Sequence, residues 1–174
     1  MILALNAGSS TLKYRLVPGE GGIVEGVPHG AAVEQVLERL SGKTIAAVGH
    51  RVVHGGTRFQ APVLVDDAVL KAIRDLSPLA PLHNPAGVAG IEAARRALPG
   101  VPQVAVFDTA FHATLPRSLA GLDPLGIAVD PARNGAGDGA RIVSPDGARV
   151  AVCVVPTDEE RAIAHETAEL LGLV

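Results

Sequence analysis

Residues 1–17 read MILALNAGSSTLKYRLV, and this stretch decides the fold. Ile2 to Leu5 is a short apolar run of the kind that forms a buried strand, and it stops at the polar Asn6. Ala7-Gly8-Ser9-Ser10-Thr11 is a polar turn containing glycine, and Leu12 to Val17 resumes an extended pattern. The reading is strand, tight turn, strand.

Working outward, Ala31 to Leu40 places Val33, Val36, Leu37 and Leu40 at helical spacing, with Gly42 as a stop signal just beyond. Thr44 to Val48 is apolar and β-prone and continues through His50-Arg51-Val52-Val53-His54 to the breaker Gly55-Gly56. Asp66 is placed to cap a helix through Leu76, and Ser77 to His83 is a loop punctuated by proline. Asn84-Pro85 supplies a cap and a first-turn proline for a helix to about Leu98. Val104 to Phe107 is a further buried strand ending at Asp108. The order β-β-α-β-α-α-β predicts an α/β fold with a mixed sheet and flanking helices.

The later part changes character. Asp130 to Gly147 is rich in Gly, Asp, Pro and Asn, followed by an expected strand over Ala148 to Val155. A helix over Thr157 to Leu171 is expected next, opened by the capping box Thr157-Asp158-Glu159-Glu160. That helix should pack back on the N-terminal sheet, because the run Val150 to Val155 needs cover and the long partner helices come from the first half.

Composition sets the outer limits. The chain is 174 residues, 48% apolar and 19% charged with a net charge of −3, the profile of a globular domain with a sizeable core. No basic run offers a stripe for phosphodiester backbones, so nucleic acid is excluded as a partner. Nothing reaches the ~20 apolar residues of a membrane helix, and the opening segment lacks the basic start of a signal peptide, so a cytoplasmic setting is expected. Cys153 is the only cysteine and sits in an apolar run, where it reads as a small buried hydrophobe.

Several residues carry chemistry in this pattern. The turn from Asn6 to Lys13 combines backbone N–H groups, the hydroxyls of Ser9, Ser10 and Thr11, and the cation Lys13; it reads either as an anion cradle or as a solvated hairpin turn. It is not a Walker loop. His50 and His54 stand four apart, but no third ligand lies at a metal-site spacing. His54-Gly55-Gly56 has the look of an esterase oxyanion loop, yet no Gly-x-Ser-x-Gly elbow accompanies it. Arg51, inside an apolar strand, must face a carboxylate or a phosphate, and Asp108 closes another apolar strand. The two either serve one ligand site at the strand ends or simply pair with each other. Glu159 reads equally as a first-turn acid favoured by the helix dipole.

Taken together, Asn6-Ala-Gly-Ser-Ser-Thr-Leu-Lys13, Gly49-His-Arg-Val-Val-His-Gly-Gly56, Ala80-Pro-Leu-His-Asn-Pro85, Val104-Ala-Val-Phe-Asp-Thr-Ala-Phe-His112 and Val155-Pro-Thr-Asp-Glu-Glu160 resemble the acetate kinase signatures in order. The resemblance covers nearly the whole chain, with a contraction between Val17 and Gly30. It implies a ribonuclease-H-like lobe of the actin, sugar-kinase and Hsp70 superfamily, with residues 1–116 as the substrate and phosphate lobe. Residues 117–174 are then the remainder of a C-terminal lobe whose final helix packs back on the first.

The implied reaction is reversible phosphoryl transfer between ATP and acetate, giving acetyl phosphate, with Mg²⁺. The resemblance gives Asn6 and Glu159 as magnesium-site residues and Lys13 as a nucleotide-phosphate contact, to which the hydroxyls of Ser9, Ser10 and Thr11 in the same turn are added as cofactor-binding. It gives Arg51 as the holder of the carboxylate and Asp108 as the active-site acid. Val53 and Leu82, beside His83, are the walls of the acyl pocket. Small molecules are the implied partners (acetate, acetyl phosphate and ATP), and a homodimer stays open. After Leu115-Pro116 the family's Tyr-Gly-Phe-His-Gly and His-Leu-Gly-Asn-Gly motifs, its transition-state arginine and its adenosine site are absent. Two other readings therefore stand beside the kinase: a non-catalytic module for acetyl phosphate or a short carboxylate, and an internally deleted remnant.

Overall fold

The computed structural model describes residues 1–113, 127–134, 140–155 and 158–173. The opening stretch forms β1 (Ile2–Ala7) and β2 (Thr11–Val17), paired antiparallel with Ile2 opposite Val17 and Ala7 opposite Leu12. A third antiparallel strand, β3 (Gly21–Glu25), lies on β2. Its Gly-Gly start gives no strand signal in the sequence.

The chain continues through α1 (His29–Arg39), β4 (Ala47–Val52), β5 (Val63–Leu64), α2 (Asp67–Asp75), α3 (Asn84–Ala97), β6 (Gln103–Phe107) and α4 (Asp108–Ala113). Gly42, at φ +81°, turns the chain after α1 in a region that costs glycine nothing. Asp66 caps α2 as expected, its Oδ1 accepting from the Val69 amide at 2.7 Å.

β4 runs parallel to β1 and to β6, and β5 adds an antiparallel edge, so the sheet order is β3-β2-β1-β4-β6-β5. This is the mixed sheet of a ribonuclease-H-like lobe. The parallel strands β1, β4 and β6 end at one edge, where open α/β sheets bind ligands.

Alternation along the strands gives the sheet two different faces. Leu3, Leu5, Leu12, Leu16 and Val48 pack under Ala32, Val33 and Val36 of α1 and Ala93 and Ala94 of α3. Farther along, Val52, Ala105 and Phe107 meet Leu70 and Ile73 of α2 and Val88 and Ile91 of α3. His50 points to this same face, 3% exposed, with Nε2 donating to Gln103 Oε1 at 2.7 Å. Burial pushes its pKa down to about 4, with the Gln103 hydrogen bond acting the other way.

The opposite face is floored by small residues. Ala4 packs against Ile163 and Ala164 of the helix Glu159–Leu171, with Ile2, Val17 and Val106 at the margin. A Cβ on Gly49 would lie 2.2 Å from Thr167 Oγ1 and 2.7 Å from Ile163 Cγ2, so glycine is what lets this helix lie on β4. Thr167 is fully buried there, and its hydroxyl donates to the Ile163 carbonyl at 2.7 Å.

The Cα trace divides into two compact units, Met1–Thr114 with Glu159–Val174, and Leu115–Asp158. In the second, α5 (Pro131–Asn134) is capped by Asp130, whose Oδ1 accepts from the Ala132 and Arg133 amides. Strands β7 (Arg141–Ile142) and β8 (Cys153–Val154) pair antiparallel, and Arg133 joins Asp146 at 2.7 Å. The expected strand over Ala148 to Val155 is thus only two residues long, since its partner offers only two. Val155 is 69% exposed, and Cys153 is exposed rather than buried. The helix α6 is Glu159–Leu171; Thr157, expected to cap it, lies outside the described residues.

Two outcomes follow from this packing. Gly49→Ala should lower unfolding free energy by about 3 kcal/mol in urea titrations, through overpacking under α6. Neutral, buried His50 adds stability that is full above the ordinary imidazole value of 6.5 and lost as pH falls toward about 4, because the unfolded chain takes up the proton first. Denaturation between pH 7 and 4 should show a loss approaching about 3 kcal/mol that His50→Gln removes.

Candidate functional site

The period of two that buries Ala4 and Gly49 under α6 puts Asn6 and Arg51 on the same face, at the ends of β1 and β4. On β6 the matching face carries Val104 and Val106, and the next residue in that series is Asp108, the first of α4. The first turn of α6 contributes Glu159 and Glu160. Four segments distant in sequence therefore meet at one sheet edge.

Arg51 is the hub. Its Nε donates to Asp108 Oδ1 at 2.9 Å and Oδ2 at 3.1 Å, and its Nη2 to Asp108 Oδ2 at 2.8 Å. Nη1 donates to Asn6 Oδ1 at 3.1 Å and lies 3.3 Å from Glu159 Oε2. Asn6, only 4% exposed, turns its Nδ2 to Glu159 Oε2 and Glu160 Oε1, both at 2.9 Å. The Asp108 hydrogen bonds raise the Arg51 pKa; burial opposes this, and the charges of Asp108, Glu159 and Glu160 add to it. One fixed cation thus stands among three carboxylates.

The β1–β2 turn borders this cluster. The Gly8 amide donates to the Thr11 carbonyl at 2.9 Å; Ser9 and Ser10 are exposed and Thr11 is half-buried. Lys13, opposite Asn6 on β2, lines an open depression of about 310 Å³ with Arg15, Gly21, Gly22 and Glu160.

The other side of the site is the loop after β4. Asn84, fully buried, accepts from the His54 amide at 3.2 Å and donates to the His54 carbonyl at 3.0 Å. It is therefore not the cap of α3, a position His83 occupies without a side-chain bond. The Gly55 amide donates to Thr109 Oγ1 at 2.9 Å, and the Gly56 amide to His54 Nδ1 at 2.9 Å. Val53 and His83 stand one residue from this clamp, and Leu82 is 71% exposed beside them. Among the described residues no hydrogen bond or ion pair ties the side chains of Val53, Leu82 or His83 to the Arg51 cluster.

His50 and His54 do not form a pair: one is buried against Gln103, the other lies in the loop. No group of three or more His, Cys, Asp or Glu placed to hold a metal occurs among the described residues. Sequence reasoning brought Asn6, Arg51, Asp108 and Glu159 forward, read Glu160 and Asn84 only as helix-start residues, and gave Thr109 no role. Glu160, Asn84 and Thr109 each act through a tertiary hydrogen bond that leaves no local pattern.

The family model described as the acetokinase family matches residues 19–120 and 117–165. The acetate kinase of Thermotoga maritima is 46% identical over 154 residues, 67% of this chain and 38% of that protein, and the acetate kinase of Arthrobacter sp. (strain FB24) is 49% identical over 142 residues. Among solved structures, Porphyromonas gingivalis acetate kinase aligns with a TM-score of 0.57 at 35% identity, over 71% of this chain and 42% of that one. The Entamoeba histolytica acetate kinase aligns with a TM-score of 0.55 at 32% identity, over 67% and 37%. The chain spans less than half the length of the relatives it matches. With a family model covering most of its residues and relatives sharing almost half of the aligned sequence, the chain belongs to the acetokinase family.

Proposed function

We propose that this chain is the substrate half of an acetate kinase, binding a short carboxylate and its acyl phosphate at the Arg51 cluster. The ancestral reaction is the reversible transfer of the ATP γ-phosphoryl group to acetate, and the cytoplasm, where ATP and acetate meet, is its setting. The single observation that carries the reading is the bonded set Asn6, Arg51, Asp108 and Glu159 at the strand ends.

A carboxylate attacking phosphorus needs no general base, so the protein's work is positioning and charge neutralisation. Asp108 grips the Nε–Nη2 edge of the Arg51 guanidinium with both carboxylate oxygens and fixes its plane. Of the five guanidinium N–H groups, the second on Nη2 has no acceptor among the described residues, and it is the donor we assign to an incoming carboxylate. Val53, Leu82 and His83, grouped by the Asn84 clamp, are assigned to the acyl chain. Lys13 and the turn at Ser9, Ser10 and Thr11 are assigned to the phosphate.

The donor set also fits Mg²⁺. Glu159 and Glu160 offer hard carboxylate oxygens oriented by the buried Asn6 amide, and Mg²⁺ commonly takes one or two carboxylates with the rest from phosphate and water. Held there by Glu159 and Glu160, with Asn6 orienting both through its Nδ2 while its Oδ1 faces Arg51, the ion would supply neutralisation of phosphate charge.

Turnover is a separate matter from binding. The adenosine motifs and the transition-state arginine of the family are absent after residue 116, and such an arginine alone is worth on the order of 10³-fold.

Hydroxamate trapping with ATP and acetate, beside a complete relative, should give less than about one-thousandth of its rate. Calorimetric titration with acetyl phosphate and Mg²⁺ should still show binding, weakened at least ~10-fold by Arg51→Gln. Robust turnover abolished by Asp108→Ala would overturn the first expectation, and acetyl phosphate binding indifferent to Arg51 the second. Glu159→Gln should remove most of the Mg²⁺ dependence of phosphate binding, measured by the same titration with and without EDTA. Unchanged dependence would reduce Glu159 to a helix-start acid.

A further inference from the structure

The β1–β2 turn is held from behind by a residue outside every motif so far considered. His29, the first residue of α1, places Nε2 2.8 Å from the Gly8 carbonyl oxygen. Since a carbonyl only accepts, Nε2 carries the proton. With the Gly8 amide given to Thr11, both main-chain groups of Gly8 are committed.

The consequence lies in the peptide plane. The Gly8 carbonyl and the Ser9 N–H belong to one rigid trans unit and point in opposite directions. Glycine offers little resistance to rotation of that unit, so an unanchored Gly8–Ser9 peptide flips readily. Anchored on His29, it turns the Ser9 N–H away from α1. Ser9 lies at the exposed tip of the turn, and among the described residues its amide donates to no backbone group.

We propose that His29 is a positioning residue: by holding the Gly8 carbonyl it aims the Ser9 amide as a hydrogen-bond donor for a phosphate group bound at the turn. The phosphate part rests on the function assigned above; the orientation of the peptide does not. The turn is then held from two sides, by α6 through Asn6 and by α1 through His29.

The test compares wild type, His29→Ala and His29→Gln in the full chain. Glutamine can return a side-chain N–H near the position of Nε2; alanine cannot. With inorganic phosphate and Mg²⁺ as the probe, titration followed by amide NMR should show affinity about tenfold weaker in His29→Ala and within about twofold of wild type in His29→Gln, the loss of one hydrogen bond to a charged group. Without ligand, the Ser9 amide resonance should coincide in wild type and His29→Gln and be displaced in His29→Ala. A general loss of packing would weaken both variants alike and would not give this split. An alanine variant with wild-type affinity, or a glutamine variant as weak as alanine, overturns the proposal. If wild type binds no phosphate, the functional assignment fails, and the His29 anchor is decided by the ligand-free Ser9 resonance alone: coincidence of His29→Ala with wild type overturns it.

Discussion

A guanidinium on an interior strand has to be given acceptors by whatever lies next to it. Arg51 stands on β4 between β1 and β6, so its acceptors come from the ends of those neighbours, Asn6 and Asp108, and from the helix that crosses them. Burying such a group unpaired would cost several kcal/mol, which makes the convergence of these segments a condition of stability in itself. The same contacts leave an excess of carboxylate at the edge, Asp108, Glu159 and Glu160 against the one guanidinium of Arg51.

The approach of α6 is what completes the cluster. Ala4 and Gly49 make a floor without large side chains, and Thr167 fills the space that a Cβ on Gly49 would take. Glu159 and Glu160 reach Asn6 only because the body of the helix lies this close. Packing of small residues in the middle of the sheet and placement of acids at its edge are therefore one geometric fact seen at two points along the helix.

Much of this was legible in the sequence, and for identifiable reasons. Arg51 and Asp108 stood out because a charge inside or at the end of an apolar strand has few tolerable environments. The β1–β2 hairpin was legible from its polar turn between apolar runs. Asn84 was misread because Asn-Pro has the local form of a cap, while its side chain is spent on His54 across 30 residues. β3 was invisible, since two glycines carry no alternation, and β5 and β7 are too short to carry a period. The docking of α6 was anticipated for an insufficient reason: the run Val150 to Val155 was expected to need its cover, whereas what α6 covers is the small-residue face of β1 and β4. Composition alone cannot reveal that face, because Ala4 and Gly49 read as ordinary small residues until a helix is found on them.

The bond between Asn6 and Glu159 closes a loop of 153 residues. The entropy of closing a loop grows only as the logarithm of its length, with each doubling costing about 0.6 kcal/mol. What lies between α4 and α6 can therefore be lengthened or shortened by a large factor while the two ends still find each other, provided they emerge close together on the sheet. The site is thermodynamically insulated from the size of the intervening chain. Loop-closure entropy thus sets little limit on how much chain the junction after α4 can carry, in a family whose matched members extend well beyond the part this chain spans.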